Sequence, residues 1–592
     1  MMLKDDRMLT KLFIRLLPVQ VLLVAAQALN SIVDGTVAGR CISSGTVGIF
    51  GLYYSMLCIY DAVTGVILGG TAVLCGRSMG CGDVARTSRI FSLNITITTA
   101  AGAVLALLSV LMPGTIADIL GASPELRGDL SEYIRWYSIG IIPLLLGKQI
   151  SAFLEMERQS RRGLTGIFFM AATNCTLDVI LVYVLHMGVR GLALATATAS
   201  WVYLLILIPY YFTDRAQLRY SWASIDWGDL LPMFRIGAPG ALLVTCLAFR
   251  GIIINRLLLH YSGPDGLSAM SAFNLLAGLF LAYAMGVGAV VRMLSSVFMG
   301  EEDRDSIKAL MRIAWKKMVP ASAALTVFII VLARPIAALF FKDPSSEVFR
   351  LAVQLFVIYA LCIPVVVAIQ VIVNYFQATG HNTIVNIMSV FDGIISMVIP
   401  SMILAPVMGA TGVWLANPIG MALTLLLVPA YTVFRCKHFP RTADEWLMLP
   451  DDFGVPDEDR LDIAVHGLDE IVQTAERVQT FCENHGTDPR TAHFSALCME
   501  EMSANVIKHG FSKDKKKHDV NVRAVWKSGD VMLRIKDDCV PFDPKERAEQ
   551  VYGEDPVRNL GVRVVTRLAD EITYQNMLGL NVLTIRLSGK KQ

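Results

Sequence analysis

Two carboxylates set in apolar sequence are the first residues able to do chemistry. Asp34 falls late in the first apolar run and Asp178 in the middle of the fifth. Asn174 lies one helical turn before Asp178, on the same face. A charged side chain at the centre of a membrane costs roughly 2.5–3.5 kcal/mol on insertion scales, so each needs a reason to be there. Two carboxylates, an amide and a nearby hydroxyl could hold a proton or a sodium ion. Oxygen ligands suit hard cations, and a desolvated carboxylate keeps its proton more tightly. Hydrogen bonding between neighbouring helices is the other role open to them. Asp61, Lys148, Arg250, Arg256, Arg292 and Asp392 also stand in apolar runs and could pair or line a wet cavity.

A second cluster lies near the carboxyl end, in Glu500-Glu501-Met-Ser-Ala-Asn505-Val-Ile-Lys508. On a helix Glu501 and Asn505 share a face. A carboxylate there can position a nucleophile, and an amide oxygen can hold Mg²⁺ on phosphates.

The elements that must carry these residues follow from composition. The chain has 592 residues, 54% hydrophobic and 17% charged, with a mean hydropathy of +0.54. That is too apolar for one soluble domain. A net charge of +2 gives no reason to expect a nucleic-acid partner. Eleven cysteines are scattered without CxxC metal spacing and read as core residues and free thiols. Up to residue 436 the sequence divides into apolar segments near the ~20 residues that cross a hydrocarbon core, and we count about twelve. Loops after even-numbered segments are richer in arginine and lysine (Arg77, Arg86, Arg89; Arg158, Arg161, Arg162; Arg304, Lys308; Arg435, Lys437), which predicts that those loops and both termini are cytosolic.

The membrane part echoes itself at an offset of 221. Pro18 answers Pro239, and Met187-Gly188-Val-Arg-Gly191-Leu-Ala-Leu-Ala195 answers Met408-Gly409-Ala-Thr-Gly412-Val-Trp-Leu-Ala416. Two similar halves with a site in or between them are typical of secondary transporters. We therefore expect a six-helix lobe at 1–215, a second at 216–436, a linker at 437–459, and at 460–592 a compact α+β domain with its own core. A strand near 460–465, helices near 468–483, 490–509 and 560–569, and a hairpin around Ser528-Gly529-Asp530 are expected there, with strands near 571–575 and 580–587.

On these residues the membrane part resembles the multidrug and toxic compound extrusion (MATE) transporters. Asn30-Ser-Ile-Val-Asp34-Gly-Thr-Val-Ala-Gly39-Arg40, Gly82-Asp83, Asn174-Cys-Thr-Leu-Asp178 and the two Gly-x-x-Gly repeats carry the likeness. The resemblance implies a cation site in the amino-terminal lobe built from Asp34, Asn174, Asp178 and Thr196. It implies H⁺ or Na⁺ as the coupling ion, a small organic substrate, and a multi-pass protein held by lipid in a bacterial cytoplasmic membrane. Spans 7 and 10 offer Asn255, Gln370 and Asn374 where some relatives have acids. A second carboxylate site is therefore not expected.

The tail resembles the Bergerat-type fold of histidine-kinase-like ATPases, most of all the serine-kinase anti-sigma factors. Glu501 to Asn505, Asp537, Phe542-Asp543-Pro544, Gly561 and Gly579-Leu-Asn581 carry that likeness. It implies ATP and Mg²⁺, with Asn505 on the metal, Glu501 as general base, and Asp537 and Gly561 at the nucleotide. Cys539 and Asn559 stand where that family has glycine. Two readings follow: a cation-coupled exporter with a cytosolic regulatory domain, or a membrane-anchored serine kinase or partner-switching regulator acting on a cytosolic protein.

Overall fold

The computed structural model describes residues 5–41, 44–120, 122, 124, 126–341, 343–510, 518, 520–527, 529–539 and 560–588. Side chains at 5–7, 27, 29–51, 54, 55, 509, 510, 560 and 577 lie outside the described residues. Asp34 is among them: its backbone belongs to the first helix, Asp5–Cys41, but its side chain is not described.

Among the described residues, eleven helical segments are long and apolar enough to cross a membrane: Met8–Ala26 (span 1), Met56–Gly80 (span 2), Val84–Leu111 (span 3), Arg127–Met156 (span 4), Ser160–Val184 (span 5), Gly188–Phe212 (span 6), Trp227–Gly300, Arg304–Phe340 (span 9), Glu347–Thr379 (span 10), Asn382–Met408 (span 11) and Ala410–Cys436 (span 12). One of them, Trp227–Gly300, is 74 residues long. At about 1.5 Å per residue it would be several times longer than a bilayer is thick if it ran straight. It does not, because Gly263 has φ 62 and ψ −159, a conformation open essentially only to glycine. Pro264 follows directly. The segment thus holds spans 7 and 8, which gives the twelve expected.

The repeat seen in the sequence recurs in the backbone. Gly188 and Gly409, 221 residues apart, have φ +59 and +58 and introduce spans 6 and 12. Neither glycine can be replaced by an L-residue without strain.

The lobes meet through glycine. A Cβ added at Gly70 on span 2 would fall 2.9 Å from the Met233 Cα of span 7, and one at Gly237 would fall 2.9 Å from the Val66 Cα. Further toward the tail, a Cβ at Gly80 would meet the Gly300 Cα of span 8 at 2.7 Å, and one at Gly76 would meet the Ser296 Cβ at 2.5 Å. Only backbones without side chains approach this closely. The bundle is thereby closed at the end that carries the tail.

The segment 437–459 lies along the second lobe. Lys308 pairs with Asp444 at 2.8 Å, the Tyr375 hydroxyl donates to the Leu447 carbonyl at 2.8 Å, and Leu449 is buried. The Arg304 guanidinium donates to the carbonyls of Pro450, Asp451 and Phe453.

The tail is a five-stranded antiparallel sheet in the order β1-β2-β3-β5-β4. The strands are β1 (Arg460–Val465), β2 (Val520–Lys527), β3 (Asp530–Asp537), β4 (Glu571–Met577) and β5 (Leu580–Ser588). Alternation puts Val522, Leu533, Ile535 and Ile585 on one face, against Val478, Phe481, Met499, Met502 and Val565 of the helices Ile471–Asn484, Pro489–Gly510 and Leu560–Leu568. The opposite face carries Asn521, Arg523, Arg534 and Lys536 and turns to the membrane domain.

Candidate functional sites

In the first lobe, Asn174 and Asp178 are completely buried on span 5. The Asn174 amide donates to the Thr196 hydroxyl of span 6 at 3.2 Å, and Thr196 donates onward to the Leu192 carbonyl at 3.1 Å. The Asn174 side-chain oxygen meets no hydrogen-bond donor among the described residues. The structure thus brings Asn174 and Thr196 together across spans 5 and 6, with Asp178 buried one turn further along span 5. Immediately after Asp178 the helix loosens to π geometry over Val179–Val184, a distortion often found at functional sites. The oxygen-rich donor set, with Asn174 and Asp178 buried, fits a proton or a small hard cation.

Several of the other intramembrane charges have local partners, and Arg256 lies exposed. Lys148 pairs with Asp61 at 2.6 Å. Arg250 donates to the Asp392 carbonyl at 3.1 Å, and Arg292 to the Gln377 amide oxygen at 3.3 Å. In span 10, Asn374 donates to Gln370 at 2.8 Å through the backbone oxygen.

A family model named MatE matches residues 21–184 and 239–402, more than half of the chain and once in each lobe. The chain belongs to the MATE family of multidrug efflux transporters. Among curated MATE relatives, it is 21% identical over 424 residues to the probable multidrug resistance protein YoeA of Bacillus subtilis, covering 69% of this chain and 90% of that protein. It is 24% identical over 349 residues to the multidrug export protein MepA of Staphylococcus haemolyticus, covering 58% of this chain and 75% of MepA. Solved MATE structures share the fold. One described as the outward-facing conformation of a multidrug resistance MATE family transporter has a TM-score of 0.67 at 18% identity, covering 74% of this chain and 98% of that one. A Vibrio cholerae MATE transporter gives 0.68 at 16% identity, over 74% and 98%.

Beyond the MATE lobes, a histidine kinase-like ATPase domain model matches residues 467–587. There Asp537 is buried at the end of β3. Its carboxylate accepts from the Asn581 amide at 2.6 Å and from the Cys539 backbone N–H at 2.9 Å. The Asn581 oxygen in turn accepts from Tyr574 at 3.1 Å and Asn576 at 3.0 Å. Burial pushes the Asp537 carboxyl up, against the lowering effect of the Asn581 and Cys539 hydrogen bonds. Glu501 and Gly561 are brought together: a Cβ on Gly561 would lie 2.7 Å from the Glu501 carboxyl carbon. That places the carboxylate at the first turn of Leu560–Leu568, the end of a helix that favours negative charge. Asn505 is half-buried one turn beyond Glu501 on the same helix. Phe542, Asp543, Pro544 and Asn559 lie outside the described residues. The donor set suits Mg–ATP: a buried acceptor for a purine amine, and an amide oxygen for a hard cation. Asn581 already holds the Asp537 oxygen that an incoming amine would seek.

Sequence reasoning missed the role of Arg158, which ties the first lobe to the tail. It follows span 4 with φ +63, and its guanidinium donates to the Gly579 carbonyl at 2.8 Å and the Cys539 carbonyl at 3.5 Å. The signals that could have found the tail's seat were charges of opposite sign, Glu301-Glu302-Asp303 after span 8 and Arg523, Arg534 and Lys536 on the tail.

Proposed function

We propose that this MATE protein is a cation-coupled antiporter exporting small organic, cationic or drug-like compounds across a bacterial cytoplasmic membrane. Its tail is a cytosolic Mg–ATP-binding domain that regulates it. The buried Asn174–Asp178–Thr196 cluster carries the reading. A coupling ion, H⁺ or Na⁺, binds Asp178 with Asn174 and Thr196 around it, and Asp34 on span 1 completes the set. Binding neutralises carboxylate charge inside the lobe and so changes the cost of keeping spans 1, 5 and 6 packed. That change alters which end of the bundle is open. Arginine- and lysine-rich loops on the tail side support a cytosolic tail and termini.

In the tail, Asp537 would accept from the adenine amine, Gly561 would let the backbone approach the phosphates, and Asn505 would hold Mg²⁺. Bound ATP supplies a transferable phosphoryl group. Glu501, beside Gly561 at the helix terminus, would take a proton from an attacking hydroxyl. That placement supports the second reading, a serine kinase acting on a cytosolic regulatory protein.

The test is efflux of ethidium from proteoliposomes under imposed pH or Na⁺ gradients, with and without Mg–ATP. Gradient-dependent efflux modulated by ATP supports the first reading. Phosphorylation of a bound protein without gradient-dependent efflux supports the second.

A further inference from the structure

The basic face of the tail sheet is only partly neutralised from within, by Asp462 of β1, which stands opposite Arg523 and pairs with it at 2.5 Å. Arg523 and Arg534 stand directly opposite each other on β2 and β3, where like charges repel. The membrane domain supplies the missing anions. Asp303, almost fully buried, pairs with Arg523 at 2.8 Å and lies 3.9 Å from Lys536. Glu301 pairs with Lys536 at 2.5 Å, its carbonyl accepts from Arg534 at 3.5 Å, and Glu302 pairs with Lys527 at 2.6 Å. Asp305 pairs with Arg460. All four acids belong to the loop and first turn that join spans 8 and 9, in the second lobe.

The β4–β5 turn seats on the first lobe instead. The Leu578 N–H donates to the Met156 carbonyl of span 4 at 3.2 Å, and Leu578 and Leu580 are buried among the membrane-domain core residues. Arg158 holds the Gly579 carbonyl of the same turn. One rigid sheet is therefore fastened to both lobes, across the seam where Gly80 and Gly300 touch. If the lobes part on the tail side, the sheet can keep only one of its two seats.

We propose that the tail is a clamp that holds the tail-side gate shut and that nucleotide releases it. The inference rests on the reading of the tail as a nucleotide-binding domain. Arg158 donates to the carbonyls of Cys539 and Gly579, the two backbone segments that flank the Asp537–Asn581 pair. An adenine amine that takes the Asp537 oxygen displaces the Asn581 amide, which also donates to the Cys539 carbonyl at 3.2 Å. Both carbonyls then move, and Arg158 loses its fork of acceptors. Nucleotide and docking are mutually antagonistic, and linkage makes the antagonism reciprocal.

The test uses the full chain carrying Ser296→Cys. Ser296 is fully buried in the span 2–span 8 seam, so N-ethylmaleimide reaches position 296 only when the gate opens. Labelling is read by peptide mass spectrometry. Arg158→Ala and, independently, Lys536→Gln are expected to accelerate labelling about 5-fold or more, the lower end of ordinary coupling. The non-hydrolysable analogue AMP-PNP with Mg²⁺ is expected to accelerate labelling of the otherwise unaltered chain and to add little in Arg158→Ala. Arg158→Ala should also bind AMP-PNP more tightly by the same factor. Unchanged labelling in both variants overturns the clamp. Accelerated labelling in the variants, with AMP-PNP inert although equilibrium dialysis shows it bound, overturns release by nucleotide. Absence of AMP-PNP binding in dialysis overturns the nucleotide reading itself and release with it, and the two variants still decide the clamp.

Discussion

Replacing Gly300 by alanine should push this transporter toward the state open on the tail side. A Cβ built on Gly300 lies 2.8 Å from the Arg77 carbonyl carbon and 2.9 Å from its Cα, with the carbonyl oxygen nearer still. Ordinary contact begins at 3.4 Å, and the obstruction is backbone, which cannot rotate away. The helices must separate by more than half an ångström, estimated as about 0.6 Å from the carbonyl carbon alone. Overpacking of this kind costs about 1–3 kcal/mol where the seam stays closed. Where the lobes have parted it costs almost nothing, so the equilibrium between states shifts by about 5- to 150-fold. Helix propensity works the other way, since alanine outranks glycine by about 1 kcal/mol in a helix interior, and that gain is common to both states. The assay is thiol labelling of Ser296→Cys in the presence and absence of Gly300→Ala. Labelling should accelerate by the same factor. Gly128→Ala is the control, because a Cβ there meets nothing within 4 Å. Equal labelling of the parent and the Gly300→Ala chain would refute the idea that the seam is closed by backbone contact.

Three further outcomes are expected. Burial pushes the Asp303 carboxyl up, but Arg523, Lys536 and the Ser306 hydrogen bonds outweigh it and hold the carboxyl well below the usual range. A depressed carboxyl stabilises its pairing above its free value near about 4 and loses that only as pH falls further, so Ser296→Cys labelling, normalised to a model thiol, should be flat from pH 8 to pH 5. A rise in that range would contradict the ion-pair account. Ending the chain at 456 keeps the 437–456 strap, whereas ending it at 436 removes it and should lower the bundle's melting temperature below that of the 456 chain. The second cut removes Leu449 from its buried site, worth about 1.5–3 kcal/mol for such a side chain; equal melting of the two would show that the strap does not hold the lobe. In the tail, Asn505→Ala should weaken Mg–AMP-PNP binding while Glu501→Ala spares it and removes any phosphoryl transfer, because a base acts on the nucleophile rather than on the nucleotide. Dialysis with AMP-PNP and transfer of the γ-phosphoryl group of ATP to protein separate the two.

Much of the fold was legible because local periodicity dictates it. Twenty-residue apolar runs leave the backbone little choice but helix, and alternation in Val520–Lys527 and Asp530–Asp537 dictates a half-buried hairpin. Spans 7 and 8 were expected as two separate apolar runs, and the structure joins them in one helical segment that turns at Gly263. The meeting of Asn174 with Thr196 was legible from spacing and likeness. The placement of Asp34's side chain against them lies outside the described residues, as does the stretch holding Phe542 to Pro544. What the sequence hid was long-range. Arg158 reads as one more basic loop residue and Glu301 to Asp303 as a solvated turn. Their meaning lies in partners 220 or more residues away, which no local pattern encodes. The glycines of spans 2 and 8 read as ordinary membrane-helix glycines until the opposite backbone is seen against them.

The central claim is that Asp178 binds the coupling ion. The measurement that reaches it most directly is ethidium efflux driven by an imposed pH or Na⁺ gradient, for the intact protein and Asp178→Asn in matched proteoliposomes, with melting temperature recorded alongside. Removing a carboxylate from the hydrocarbon region relieves about 2.5–3.5 kcal/mol on insertion scales, so the variant should insert and melt no lower than the parent while gradient-driven efflux disappears. Asp178→Asn that still exports ethidium at the parental rate under the same gradient would contradict the account.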